Sequence, residues 1–412
     1  MLTDEHPLGE EFFKSADSKE AKSQEALPVF PEPAWRGIFA DYRKANERAT
    51  EASDVFHFGS LWARGAATLG RRVYFSYGMN LYPNVYVVCF GPTGDRKTTA
   101  TRRAANELGN GIKIISGGGS GEGLADTFSK IETGEGALIH AEELSQILRP
   151  GRWEGSTLLP FMTQCFDCPE RYEMNFRKSG VALERPTPNL LAGVTPEWFW
   201  RDFRTVDFQG GFGNRLFFLT GSPKGCITQP EPPELASIIR GIEEFAEIDP
   251  CVARLDERAG ELWDKFYRAW HDAEMKNGGD SLFHIAVKRI PAYVLKLGMF
   301  YAASEGTLPK IHADQLSAAI LVGQYSAECA KELLSLQHSG TSPRKELERR
   351  ILAYVSRDTG VTTKREVYKS LWRHYPDAEA FNRAFDSLQR AGEIFTRHAG
   401  RGSVWVSTEP LD

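Results

Sequence analysis

The stretch NVYVVCFGPTGDRKTTATRRAANEL, residues 84–108, constrains this 412-residue chain more than any other. An apolar, β-branched run enters a turn-rich loop, and a helix-compatible segment leaves it. The loop comprises Gly91, Pro92, Thr93, Gly94, Asp95, Arg96, Lys97, Thr98 and Thr99. It follows the pattern G-x-x-x-x-G-K-[ST], except that Arg96 stands where the second glycine belongs. Such a loop wraps backbone N–H groups around an anion at the start of a helix, where unpaired donors and the helix dipole both favour negative charge. In that setting Lys97 is placed to reach the β and γ phosphates of ATP, and the Thr98 hydroxyl to bind Mg²⁺. Arg96 is tolerable if its φ is negative, because a side chain then costs nothing there. The plainer alternative is a Gly-Pro-Thr-Gly turn with no ligand.

Four further apolar runs share the character of the first: IKIIS (112–116), GALIHA (136–141), NLLAGVT (189–195) and RLFFLT (215–220). Runs of this kind are typical of strands covered on both faces, and their spacing leaves room for crossover helices. A largely parallel α/β sheet follows. Residues 1–30 read as a mobile polar tail, 31–70 as a prelude of two amphipathic helices, and 71–222 as the sheet-bearing core. The Pro/Gly-rich GSPKGCITQPEPPE (221–234) is a linker or strap at the start of the helical extension assigned to 223–338, whose helices read from about 235 to 337. Beyond HSGTSPRK, residues 343–408 give three helices and a terminal hairpin, the order of a winged helix-turn-helix.

Composition bounds the function. The N-terminus MLTDEHPLGEEFFKSADSKE is acidic and polar, no apolar run approaches membrane-spanning length, and a cytoplasmic location without membrane contact is expected. The six cysteines are scattered apart from Cys165 and Cys168, which are expected to be plain buried thiols rather than metal ligands. A net charge of -5 gives no global attraction to nucleic acid, so any such binding needs a local basic feature.

Hydrolysis needs an acid on an adjacent strand for the metal and a carboxylate for the attacking water. The run GALIHA ends in Glu142 and Glu143, a separation from the loop that fits one intervening βα unit. Glu142 is assigned to Mg²⁺ and Glu143 to water. A one-residue slip puts Ala141 at the metal position and Glu142 at the catalytic one, and a solvated acidic helix start is the bland reading. Thr195, at the end of the next run, either contacts the γ phosphate or water, or simply opens a loop. Arg215, after GGFGN, either stabilises transition-state charge, in cis or across a subunit boundary, or makes an ordinary ion pair. Arg289 is a further candidate for reaching the nucleotide.

Taken in order, YPNVYVVCFGPTGDRKTTATR, SGEGLADTF, ALIHAEELSQIL, LLAGVTPEWF and GGFGNRLFFLT resemble an uncharacterised helicase-like P-loop ATPase family of bacteria, phages and mobile elements, often attached to primase modules. The resemblance covers roughly residues 55–335. It implies a P-loop NTPase (RecA/AAA-like) core with a helical lid, carrying a tolerated arginine before the loop lysine. It also implies the roles above for Lys97, Thr98, Glu142, Glu143, Thr195 and Arg215, a homo-oligomeric ring with a hexamer among the sizes left open, and a separate primase or replication protein as partner. Family membership suggests a function without establishing it.

DNA, single-stranded or forked, is the expected polymer. RYEMNFRKSGVALERP (171–186) alternates like a hairpin whose tip carries Arg177 and Lys178, either as phosphate-gripping residues in a pore or as charged surface residues. The C-terminal unit offers Arg383 and Arg390 on its third helix, and Arg397 and Arg401 on its wing. Glu379 and Asp386 blunt that field, and the unit serves DNA or protein. The leading expectation is a Mg-dependent ATPase motor. Its rivals are a nucleotide-gated initiator, loader or regulator, and, with less support, a small-molecule phosphotransferase.

Overall fold

The computed structural model describes residues 27–153, 155–175, 180–276, 281–339, 343–356, 362–371, 378–399 and 403–408. Residues 1–26 of the expected tail lie outside them. The chain divides into two compact units, Met1–Leu334 and Ser335–Asp412.

In the first unit the strands follow as β1 (Val73–Tyr77), β2 (Met79–Leu81), β3 (Tyr86–Phe90), β4 (Lys113–Ser116), β5 (Gly136–Ala141), β6 (Arg171–Asn175), β7 (Gly180–Glu184), β8 (Thr187–Val194), β9 (Phe217–Leu219), β10 (Cys251–Leu255) and β11 (Lys310–Ile311). Five of them build an all-parallel sheet in the order β4-β5-β8-β3-β9. These are the five apolar runs of the sequence. Every residue of β3, β5, β8 and β9 is buried, as expected for strands covered on both faces.

The helix Asp54–Leu69 does the covering, and it corrects the expectation of an amphipathic prelude. All its residues except Asp54 are buried, because β3, β5, β8, β9 and the helices Lys97–Asn106, Ala236–Phe245 and Ile290–Ser304 all pack against it. It is an interior helix, buried on every face even at His57, Ser60, Arg64 and Thr68. Gly59 lets it sit close to the sheet, since a Cβ there would lie 2.5 Å from Leu219 Cδ1 and 2.9 Å from Val87 Cγ1. One hydrophobic interior runs from Ala34 to Leu333. The segments 31–70, 71–222 and 223–338 therefore share a core.

A second sheet, ordered β11-β10-β1-β2, was not expected, because 235–337 reads as purely helical. β10 is anchored by parallel pairing of Cys251 with Val73, a partner far away in sequence. The proline-rich segment is a strap. Lys224 N and Ile227 N donate to Glu51 O and Oε1 at 2.8 and 2.9 Å, and Lys224 Nζ pairs with Asp54 at 2.9 Å.

Lys296, on the helix Ile290–Ser304, is buried with its ammonium donating to Asn84 O and Oδ1 at 2.6 and 2.7 Å, just before β3. Burial pulls its pKa down from the ordinary 10.5 to about 7. Between these values the unfolded chain holds one proton more than the folded chain, so folding stability rises with pH. The cost of burying the ammonium is full below pH 7 and fades above it. We expect urea-unfolding free energy to climb between pH 7 and 8.5 by up to about 1.4 kcal/mol per pH unit, and Lys296→Met to flatten that slope. Equal slopes in both proteins would rule this out.

The second unit contains the helices Pro343–Val355, Lys364–Leu371 and Ala378–Arg390 with β12 (Thr362–Thr363), β13 (Phe395–Ala399) and β14 (Ser403–Ser407). The strands form a small antiparallel sheet in the order β12-β14-β13. Its separate core gathers Ile351, Val367, Phe381, Phe385 and Val406. Among the described residues no helix is long and apolar enough to cross a membrane.

Candidate functional site

The register of the parallel sheet sets the site. Phe90 pairs with Val194 and Ala141 with Ala192, so β3, β8 and β5 end together. Gly91, Thr195 and the Glu142–Glu143 pair consequently leave the same carboxyl edge, where ligands of open α/β sheets bind. One expectation is corrected here. The acids do not lie on the strand next to β3, because β8 is inserted between and brings Thr195 to the middle of the edge.

The loop 91–96 turns sharply through Gly94, with φ of 100°, and Arg96, with φ of 55°. The condition of a negative φ at Arg96 is therefore not met. A non-glycine residue in the left-handed region costs roughly 1–2 kcal/mol. Arg96 is held there from outside: its Nη2 lies 2.5 Å from Glu51 Oε2, the residue that also anchors the strap. Arg96 is the N-cap of the helix Lys97–Asn106, and no side chain caps that helix. Its first amides are thus free to meet an anion. Pro92, Thr93, Gly94 and Thr99 are exposed, and Thr98 is half-exposed.

Glycine removes the left-handed strain at 96 but adds unfolded-state entropy and loses a half-exposed ion pair, effects of about 1 kcal/mol or less each. Arg96→Gly is expected to bind Mg-ATP as well as the parent does, and Arg96→Val, β-branched at a positive φ, to bind at least tenfold more weakly. Isothermal titration calorimetry on both proteins checks this. A tenfold loss in Arg96→Gly would mean that the guanidinium itself holds the ligand.

Lys97 is 6% exposed, and its ammonium donates to Gly91 O and Pro92 O at 2.8 and 2.7 Å. Burial lowers its pKa, while Asp95 and Glu143 oppose that shift. Asp95 lies inside the turn, its Oδ2 2.8 Å from where a Cβ on Gly91 would stand, and burial raises its pKa.

The two glutamates separate cleanly. Glu142 turns to Arg102 on the helix Lys97–Asn106, with contacts of 2.5 and 2.7 Å, and those bonds hold its carboxyl below the ordinary value. Glu143 turns inward: burial raises its pKa, Lys97 opposes the rise, and its Oε2 is buried without a hydrogen-bond partner. A buried unpaired carboxylate oxygen is costly unless something polar occupies the space in front of it. Thr195 is 5% exposed and accepts from Trp198 N at 3.3 Å, capping the helix Pro196–Asp202.

Arg215 stands apart from this group. Arg215 ends the 3-10 turn Gly213–Arg215 just before β9, whose first residue Phe217 pairs with Val87, so it lies toward the amino end of the sheet, beyond the four strand residues, or about 13 Å, that separate that level from Gly91. An arginine side chain cannot span that distance, so the cis alternative fails. Arg215 Nη2 pairs with Asp167 Oδ2 at 2.6 Å, and Arg289 Nη1 pairs with Asp167 Oδ1 at 2.8 Å. Arg289 therefore belongs with Arg215 and not with the loop. Cys165 and Cys168, on either side, are buried free thiols.

The nucleic-acid candidates belong to both compact units of the chain. β6 and β7 form an antiparallel hairpin, but Arg177 and Lys178 lie outside the described residues, as does Arg401. Arg383 is paired with Glu379 at 3.0 Å, Arg390 donates to Asp386 O at 3.2 Å, and Arg397 is exposed. Sequence reasoning missed Glu51, Arg102 and Asp167, the acid and base partners of Arg96, Glu142 and Arg215. Only Asp167 carried a signal, lying inside the C-F-D-C segment read for its thiols.

A scan against protein-family models finds no match to this chain, and a search of curated proteins finds no similar sequence.

Proposed function

We propose that this chain is an ATP-hydrolysing motor of the P-loop NTPase (RecA/AAA-like) class, a helicase-like translocase on DNA in the replication of a phage, plasmid or integrated element. One observation carries the reading: an uncapped helix starts at Lys97 after the loop that leaves β3, the Lys97 ammonium is turned into that loop, and Glu143, whose buried Oε2 has no hydrogen-bond partner, is within electrostatic reach of it.

The residues divide the work as follows. Amides of residues 91–98 receive the phosphates, and Lys97 exchanges the carbonyls of Gly91 and Pro92 for β and γ oxygens. Thr98 and Glu142 would hold Mg²⁺, for which the Glu142 carboxylate would be freed from Arg102. The metal, when bound, neutralises phosphate charge. Glu143 accepts the proton of a water whose oxygen attacks the γ phosphorus as the bond to the β–γ bridging oxygen breaks, giving ADP and phosphate. Thr195 caps its helix through oxygen and offers its O–H to the water. Arg215, on the opposite edge of the sheet, serves the nucleotide of a neighbouring copy, which calls for a ring.

The test is the steady-state ATPase rate with and without single-stranded DNA, with strand displacement on a forked duplex alongside. A motor is stimulated and unwinds. The compact unit 335–412, a winged helix in this reading, favours a second possibility: a nucleotide-gated initiator or loader. That protein hydrolyses ATP without displacing a strand.

A further inference from the structure

The helix Pro196–Asp202 leaves the Thr195 tip and carries a surface that none of the site residues above uses. Trp198 is 41% exposed, with the guanidinium carbons of Arg201 and Arg149 at 3.7 and 5.0 Å from its ring centroid. Arg149 Nε also reaches Asp202 Oδ2 at 3.1 Å, and Arg152 Nη2 reaches Asp207 Oδ2 at 3.3 Å. These two bridges lay residues 149–153 alongside 198–207. The strip ends in Trp153, 72% exposed, with no ring or cation stacked on it among the described residues.

The polarity of these pairs is directional. Asp202 and Asp207 have side chains 9% exposed, whereas Arg149 and Arg201 are 51% and 43% exposed, and Arg204 is exposed as well. Arg152 is turned in with its acid, at 16%, so the cations that this face presents are Arg149, Arg201 and Arg204, on a chain whose net charge is -5. Glu197, on the same helix, is exposed and within electrostatic reach of Lys97. The support beneath is stiff: Phe199 is buried and stacked on Phe203 at 4.5 Å, and Trp200 Nε1 donates to Leu333 O at 2.9 Å.

We propose that Trp153, Trp198, Arg149, Arg201 and Arg204 form a platform for single-stranded nucleic acid, the bases stacking on Trp153 and on the outward guanidinium planes while the arginines neutralise phosphates. A protein partner fits less well, because the exposed tryptophans and Val206 lie among the exposed cations Arg149, Arg201 and Arg204. The platform deepens the nucleic-acid part of the reading above and uses none of its residues. Thr195 caps the helix that bears Trp198, so the nucleotide edge and the platform share one rigid element.

The test measures fluorescence anisotropy of a labelled 20-nucleotide oligothymidylate, and of its oligouridylate counterpart, with the full chain and no nucleotide, across a salt series. Trp153→Ala should weaken binding at least tenfold. The double change Arg149→Ala and Arg201→Ala should lower the log–log salt slope by about 1.4, two contacts at about 0.7 each for single strands. Thermal melting and Mg-ATP affinity of the same proteins identify any folding defect. Unchanged oligonucleotide affinity in folded Trp153→Ala overturns the proposal. So does a change in sedimentation mass without a change in oligonucleotide affinity, which would make this face a contact between copies. Oligonucleotide binding by a chain that binds no Mg-ATP leaves the platform standing and removes the ATPase reading.

Discussion

On the proposed function, replacing Lys97 by alanine is expected to remove ATP hydrolysis, with kcat/KM falling at least about a thousandfold and Mg-ATP affinity falling with it. The loop has a single ammonium, and it is already turned inward on Gly91 O and Pro92 O. Each charge placed against developing phosphoryl charge in a water-poor site contributes on the order of 3–4 kcal/mol to the transition state, and Lys97 also contributes to ground-state binding. Stability should not fall in step, because burial disfavours this ammonium in the folded chain. The check is a coupled phosphate-release assay beside a thermal melt. A folded Lys97→Ala protein with near-parental turnover would displace the site from this loop.

Glu143→Gln separates binding from chemistry. The amide keeps the shape of the carboxylate and removes a buried charge, so Mg-ATP affinity should hold or improve, while turnover drops by roughly 100- to 10,000-fold with the loss of general-base action. The pH profile adds a second readout. Burial raises the Glu143 pKa, and a base works only when deprotonated, so kcat/KM should decline on acidification at a pH above the ordinary carboxylate range. That limb should be absent from whatever activity Glu143→Gln retains. Glu142→Gln, by contrast, loses its bidentate hold on Arg102 and should raise the Mg²⁺ requirement. Stopped-flow nucleotide binding with single-turnover hydrolysis distinguishes the two variants.

The parallel sheet was legible because its strands are continuous apolar runs, a pattern that survives without knowledge of partners. GALIHA maps onto β5 residue for residue. The second sheet was not legible. CVARL alternates weakly within helix-rich sequence, and its pairing with β1 is a long-range event that leaves no local mark. The helix Asp54–Leu69 was readable as a helix, but its burial all round depends on what packs against it. The strand order hid in the same way: spacing placed the acids one βα unit after the loop, and only the sheet reveals β8 between them.

Motif reading singled out the loop, the two glutamates and Thr195, which the sheet brings to one carboxyl edge, and also Arg215, which the sheet leaves at the other end. It did not foresee the left-handed Arg96, since a side chain's tolerance of positive φ comes from its tertiary anchor, here Glu51. It assigned Glu142 to the metal and Glu143 to water but left a one-residue slip open, because adjacent carboxylates differ only in what they face. Arg102 and Lys97 make that distinction in the folded chain.

The central claim is that the loop at 91–98 grips a triphosphate, and the most direct measurement is a crystal structure of the full chain with Mg²⁺ and a non-hydrolysable ATP analogue. We expect the β and γ phosphates within hydrogen-bond distance of the loop amides, Lys97 Nζ moved from the Gly91 and Pro92 carbonyls onto them, and Glu143 facing the γ phosphorus. A nucleotide bound elsewhere, with Lys97 still on those carbonyls, would contradict the account.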